Sequence, residues 1–114
     1  MQTLNPETTA APLRILQYRD IVVDLLWQQL HWQGQLVDLS PQECRLFVAL
    51  VDRVGEICDR DYLAQRVLGV SRYYYDTSKA LEVNMSKLRQ KLHRLTGSRS
   101  LIETVVGEGY RLGR

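Results

Sequence analysis

Leu81, Met85, Leu88, Leu92 and Leu95 recur at alternating spacings of four and three residues, a period that one face of an α-helix satisfies and a strand does not. At ~100° per residue, Lys79, Val83, Ser86, Lys87, Gln90 and Arg94 fall opposite that stripe, with Asn84, Arg89 and Lys91 on its flanks. No acid interrupts the outer face. A helix of this kind offers one side to a core and the other to an anion. Directly after it, Leu101-Ile102-Glu103-Thr104-Val105-Val106 and Tyr110-Arg111-Leu112 are β-rich runs around Gly107-Glu108-Gly109, which predicts a hairpin.

The distribution of charge supports a polyanion-facing half. The whole chain of 114 residues carries only +2, but residues 79–114 hold eight Lys/Arg against three Asp/Glu, and residues 1–78 hold seven against ten. A basic half on a near-neutral chain is the electrostatic footprint of a nucleic-acid partner. The competing reading is that these charges simply solvate helix surfaces.

Length and a hydrophobic content of 45% fit one globular domain with a real core and leave no room for two. Cys44 and Cys58 form no Cys-x-x-Cys pair and have no His placed to complete a zinc site, so they are expected to be small core residues in a reducing compartment. No metal or cofactor is expected. No apolar run reaches the ~18 residues of a membrane span, and the N-terminus lacks the pattern of a signal peptide, so the expected location is cytoplasmic. An enzyme is not expected: Gly107-x-Gly109 lacks a third glycine at dinucleotide spacing, and His31 and His93 have no partners that suggest a triad.

Along the chain, residues 1–12 read as a flexible arm or linker remnant, with Pro6 and Pro12 around a Thr/Ala run, and a folded domain is expected over 13–114. Ile15 to Leu39 is dense in Val, Leu and Trp and is punctuated by Asp20, Asp24 and Gln33-Gly34, which predicts three or four short antiparallel strands. Ser40-Pro41-Gln42-Glu43 carries a Ser N-cap, a Pro at the first helical position and a Glu placed to return a hydrogen bond, so a helix must start there. Leu46, Phe47, Leu50 and Val54 supply its buried face and Gly55 its stop. Glu56-Ile57-Cys58 is a candidate short strand, Asp59 caps a second helix over Arg60–Leu68, and the third runs over Thr77–Thr96 to Gly97. The result is an α+β fold: an N-terminal antiparallel sheet, three helices and a C-terminal hairpin, the outline of a winged helix-turn-helix.

Three ordered segments make this outline specific. Leu39-Ser40-Pro41-Gln42-Glu43, Leu81-Glu82-Val83-Asn84-Met85-Ser86-Lys87-Leu88-Arg89-Gln90-Lys91-Leu92 and Ile102-Glu103-Thr104-Val105-Val106-Gly107-Glu108-Gly109-Tyr110-Arg111-Leu112 resemble, in turn, the Leu-Thr-x-x-Glu helix start, the recognition helix and the wing of OmpR/PhoB-type response-regulator output domains. The resemblance implies sequence-specific binding of double-stranded DNA in bacterial transcription regulation by a two-component system, with the helix at 77–96 in the major groove and the hairpin on the backbone. It implies a base contact for Lys87, which stands at the family's groove-facing Arg, and backbone contacts for Lys79, Asn84, Ser86, Arg89 and Thr104. It further implies that the loop bearing Tyr73, Tyr74 and Tyr75 faces RNA polymerase, that a receiver domain precedes this domain in a longer parent, and that copies bind DNA as a tandem dimer.

Two departures stand out. Val106 occupies the wing-tip position where the family usually has an Arg, and Leu68 stands where it usually has a Trp before the glycine that ends the second helix. Both remove a family contact to DNA. The alternative reading is therefore a degenerate winged helix that acts as a protein-interaction module through Tyr73–Tyr75 or the N-terminal sheet.

Overall fold

The structure, a computed structural model, describes residues 14–68 and 77–114. The arm at 1–12 and the tyrosines at 73–75 lie outside the described residues. Four strands, β1 (Ile15–Tyr18), β2 (Ile21–Asp24), β3 (Gln29–Trp32) and β4 (Gln35–Asp38), form an antiparallel meander in sequence order. Its turns follow from local chemistry. Gln33 and Gly34 take positive φ (49° and 80°), the left-handed pair that a tight hairpin requires. Between β2 and β3 the Asp24 carboxylate accepts from the amides of Leu26 and Trp27 at 3.0 and 2.9 Å. That contact makes a turn out of a segment whose Leu25-Leu26-Trp27 reads as strand. In the register Leu16↔Val23↔Leu30↔Val37, alternate residues point to one face, which packs on the helices.

Helix α1 (Pro41–Asp52) begins on the expected capping box: Ser40 Oγ accepts from the Glu43 amide at 3.1 Å, and Glu43 Oε1 accepts from the Ser40 amide at 2.9 Å. Helix α2 (Arg60–Leu68) is capped by Asp59, whose carboxylate accepts from the Tyr62 amide at 2.8 Å. Helix α3 (Thr77–Thr96) runs for 20 residues, ~30 Å at 1.5 Å per residue, and closes on Gly97, whose amide donates to His93 O at 2.7 Å. Leu81, Met85, Leu88, Leu92 and Leu95 are all buried, in one cluster with Leu46, Phe47 and Leu50 of α1 and with Leu63 and Val67 of α2. Both thiols are buried in it as well, and burial pushes Cys44 and Cys58 up from the usual thiol range, which keeps them protonated and unreactive.

Strands β5 (Ile102–Val105) and β6 (Gly109–Leu112) pair as the C-terminal hairpin. The candidate strand at Glu56–Cys58 is a single bridge. Cys58 N donates to Tyr110 O at 2.8 Å and Tyr110 N to Cys58 O at 3.0 Å, which adds a third rail to the outer edge of β6. Gly109 is obligatory here, because at its φ of 147° a Cβ would lie 2.1 Å from Cys58 O.

Candidate nucleic-acid interface

Helix α3 is the amphipathic element the sequence requires, and its back is open. Lys79, Ser86, Lys87, Gln90 and Arg94 are exposed, and Val83 is 44% exposed among them. Lys79, Lys87 and Arg94 form no ion pair among the described residues. Three cations outside any ion pair along one exposed helix face set up a positive stripe of the right length for a nucleic-acid groove.

The flanks of α3 behave differently from the outer face. Asn84 is 7% exposed, and its amide donates to Gln42 Oε1 of α1 at 3.1 Å and to Ala80 O at 2.9 Å. Both amide hydrogens are thus spent inside the protein. This corrects the outward backbone-contact role that the resemblance implies for Asn84: α1 covers it, and a short side chain has no reach beyond that cover. Lys91 turns inward too. Its Nζ lies 2.5 Å from Glu43 Oε1, the oxygen that also caps α1. Burial would raise the Glu43 carboxyl, but the hydrogen bonds from Lys91 and the Ser40 amide and the charges of Lys91 and Lys87 outweigh it and hold it below the usual range. Lys91 is a tie between α1 and α3.

On the other flank, Arg89 crosses to the hairpin. Its Nη2 donates to Ile102 O at 3.0 Å and to Thr104 Oγ1 at 2.7 Å, and its guanidinium lies 5.4 Å from the Tyr110 ring centroid. The structure therefore brings together Arg89 and Thr104, two residues assigned separately from the sequence. The Thr104 hydroxyl accepts from Arg89, which leaves its own proton to donate outward. Tyr110, which sequence reasoning left out, is the hub beneath: its hydroxyl accepts from Arg60 of α2 at 3.3 Å, and Arg60 also pairs with Glu82 of α3 at 2.8 Å. That pairing holds the Arg60 guanidinium above its ordinary range, with the Glu82 hydrogen bond as the main cause.

Residues 34–112 match the family described as transcriptional regulatory protein, C terminal. The chain belongs to this OmpR/PhoB-type family. It is 32% identical over 104 residues to the transcriptional regulatory protein BaeR of Escherichia coli, covering 88% of this chain and 42% of BaeR. It is 33% identical over 110 residues to the response regulator protein PmrA of Pseudomonas aeruginosa, covering 96% of this chain and 47% of PmrA. The chain thus spans about half the length of the curated relatives it matches. Among solved structures, the Klebsiella pneumoniae RstA DNA-binding domain in complex with the RstA box aligns with a TM-score of 0.72 at 27% identity, over 88% of this chain and 97% of that one. The DNA-binding domain of Escherichia coli CadC aligns with a TM-score of 0.76 at 26% identity, over 87% and 91% of the two chains.

In this OmpR/PhoB-type domain the wing tip, Val106-Gly107-Glu108, carries no cation. Val106 is 91% exposed at the tip, Glu108 beside it is exposed, and the hairpin's own cation, Arg111, is spent on Glu103 at 2.8 Å. The tip offers apolar and acidic surface where an Arg would offer a cation. Val83, like Gln90 and Arg94, is an outer-face residue that sequence reasoning listed without a role. A half-exposed apolar side chain between Lys79 and Lys87 fits a thymine methyl, and its signal was simply an apolar residue on the wrong side of the stripe.

Proposed function

We propose that this chain is a sequence-specific DNA-binding domain that regulates transcription in a bacterium, with α3 in the major groove of duplex DNA and the β5–β6 hairpin against the backbone. The observation that carries this is the exposed face of α3, where Lys79, Lys87 and Arg94 form no ion pair among the described residues. Lys87, central on that face, reads a base. Lys79, Ser86, Arg89 and Thr104 hold phosphates and fix register. The relatives' names, response regulator and transcriptional regulatory protein, support the same reading. So does the RstA complex with its DNA box.

In this reading the domain is a binding module rather than an enzyme and works in the cytoplasm. No helix among the described residues is long and apolar enough to cross a membrane. A receiver domain in a longer parent, tandem dimers on DNA, and a polymerase-facing loop at Tyr73, Tyr74 and Tyr75 complete the proposal. Selection of bound duplexes from a random pool tests it: recovery of a consensus, with its repeat spacing, is the expected result. Recovery of unenriched sequence would overturn it.

One set of observations favours a second reading, the protein-interaction module. Val106 at the wing tip and Leu26 and Trp27 at the β2–β3 turn are large, apolar and strongly exposed. Salt-independent failure to shift any duplex would favour that reading.

A further inference from the structure

An open cleft of ≈ 620 Å³ lies between the wing side of α3 and the hairpin, with Ser86, Arg89, Gln90, His93 and Arg99 among its lining. Its one lining acid, Glu82, is already paired with Arg60 at 2.8 Å, so the charge that remains is positive. Arg99 sits in the turn between α3 and β5 and is exposed. Its Nε donates to His93 Nε2 at 3.2 Å. That acceptor is an imidazole nitrogen and not a carboxylate, so the bond aims the guanidinium without neutralising it. Its Nη1 and Nη2 make no hydrogen bond to any described residue.

Ser86 and Gln90 belong both to this cleft and to the outer face of α3, so the cleft opens on the side proposed for DNA. A duplex whose major groove takes the Lys79–Arg94 face must run one backbone along the wing side of the helix, over this opening. A planar fork of donors with an uncompensated charge matches a phosphate there.

We propose that Arg99, aimed by His93, is a further backbone-contact residue that takes a phosphate of the bound duplex in the cleft between α3 and the wing. This rests on the DNA-binding reading above. Phosphate contacts carry no sequence information, so Arg99 strengthens binding to every duplex alike.

The test is a salt titration of duplex binding by the wild-type chain and the variants Arg99→Gln, Arg99→Lys and Arg14→Gln. Each neutralised phosphate adds ~0.9 to the slope of log affinity against log salt. Arg99→Gln should lower the slope by about that amount, equally on selected and scrambled duplexes, while Arg99→Lys keeps it. Arg14→Gln, immediately ahead of β1 at the edge of the sheet far from β4 and α3, should leave it unchanged. A wild-type slope in Arg99→Gln, or a loss confined to the selected duplex, overturns this assignment alone. Absence of duplex binding by the wild-type chain overturns the parent reading and this one with it.

Discussion

Arg89 on α3 and Thr104 on β5 are joined by a 2.7 Å hydrogen bond from Nη2 to Oγ1, so the helix proposed to enter DNA and the hairpin proposed to flank it are held at a set angle before DNA arrives. The same Nη2 holds Ile102 O, which ties side chain and backbone of β5 at once. A rigid pair of elements binds at lower entropic cost than two loose ones.

Replacing Arg89 with Lys keeps the charge and loses the fork. Affinity should fall by about 1–2 kcal/mol on cognate and scrambled duplexes alike, since the loss lies in positioning. Paired titrations of the two duplexes check this. A loss confined to the cognate duplex would place Arg89 among the base-reading residues instead.

Replacing Lys87 with Ala should weaken cognate binding more than non-specific binding, by about 1–3 kcal/mol, the range of a good base contact. Equal losses on the two duplexes would move Lys87 to the phosphate-holding group. Val83→Ala should act in the same direction, with its effect confined to positions that carry a thymine.

The Glu43–Lys91 tie predicts an acid-sensitive fold. The folded-state pKa of Glu43 lies below its ordinary value, so the contact contributes full stability above the unfolded-state pKa of ~4.3 and loses it as pH falls through the lowered folded value. Glu43→Gln should cost about 1–3 kcal/mol at pH 7, the range of a hydrogen bond to a charged group, and progressively less as the pH falls through the lowered folded value. A series of urea melts from pH 7 down into the acid range decides it. A cost that stays constant down to the acid unfolding of the protein would mean that the carboxylate charge is irrelevant to the cap.

Val106→Arg should tighten DNA binding, most on sites flanked by A·T-rich sequence, where a narrow minor groove concentrates negative potential. The salt slope should steepen by ~0.9. Two duplexes that differ only in their flanks provide the comparison, and no gain on either would shift weight to the interaction-module reading.

What could be read in advance was whatever depends on neighbours in the chain. The Ser40–Glu43 capping box, the Asp59 cap, the α3 stripe and the Gln33-Gly34 turn are each settled within a few residues, and each stands where expected. The inward turn of Asn84 and Lys91 was not legible, because a helical projection gives a side chain's direction but not what another element lays over it. Asn84 is covered by Gln42, and Lys91 reaches back to Glu43, each more than 40 residues away in sequence. The Arg60–Glu82–Tyr110 junction was hidden for the same reason: three elements meet there, and no local spacing records the meeting.

The Cys58–Tyr110 bridge ties the residue just ahead of the α2 cap to the strand that returns from the wing tip. Amide hydrogens at Cys58 and Tyr110 are therefore released only when the hairpin lifts away from α2, and they should exchange with solvent as one cooperative unit despite lying 52 positions apart. The wing is thereby anchored at two places, to the segment ahead of α2 by this backbone bridge and to α3 by the Arg89 side chain.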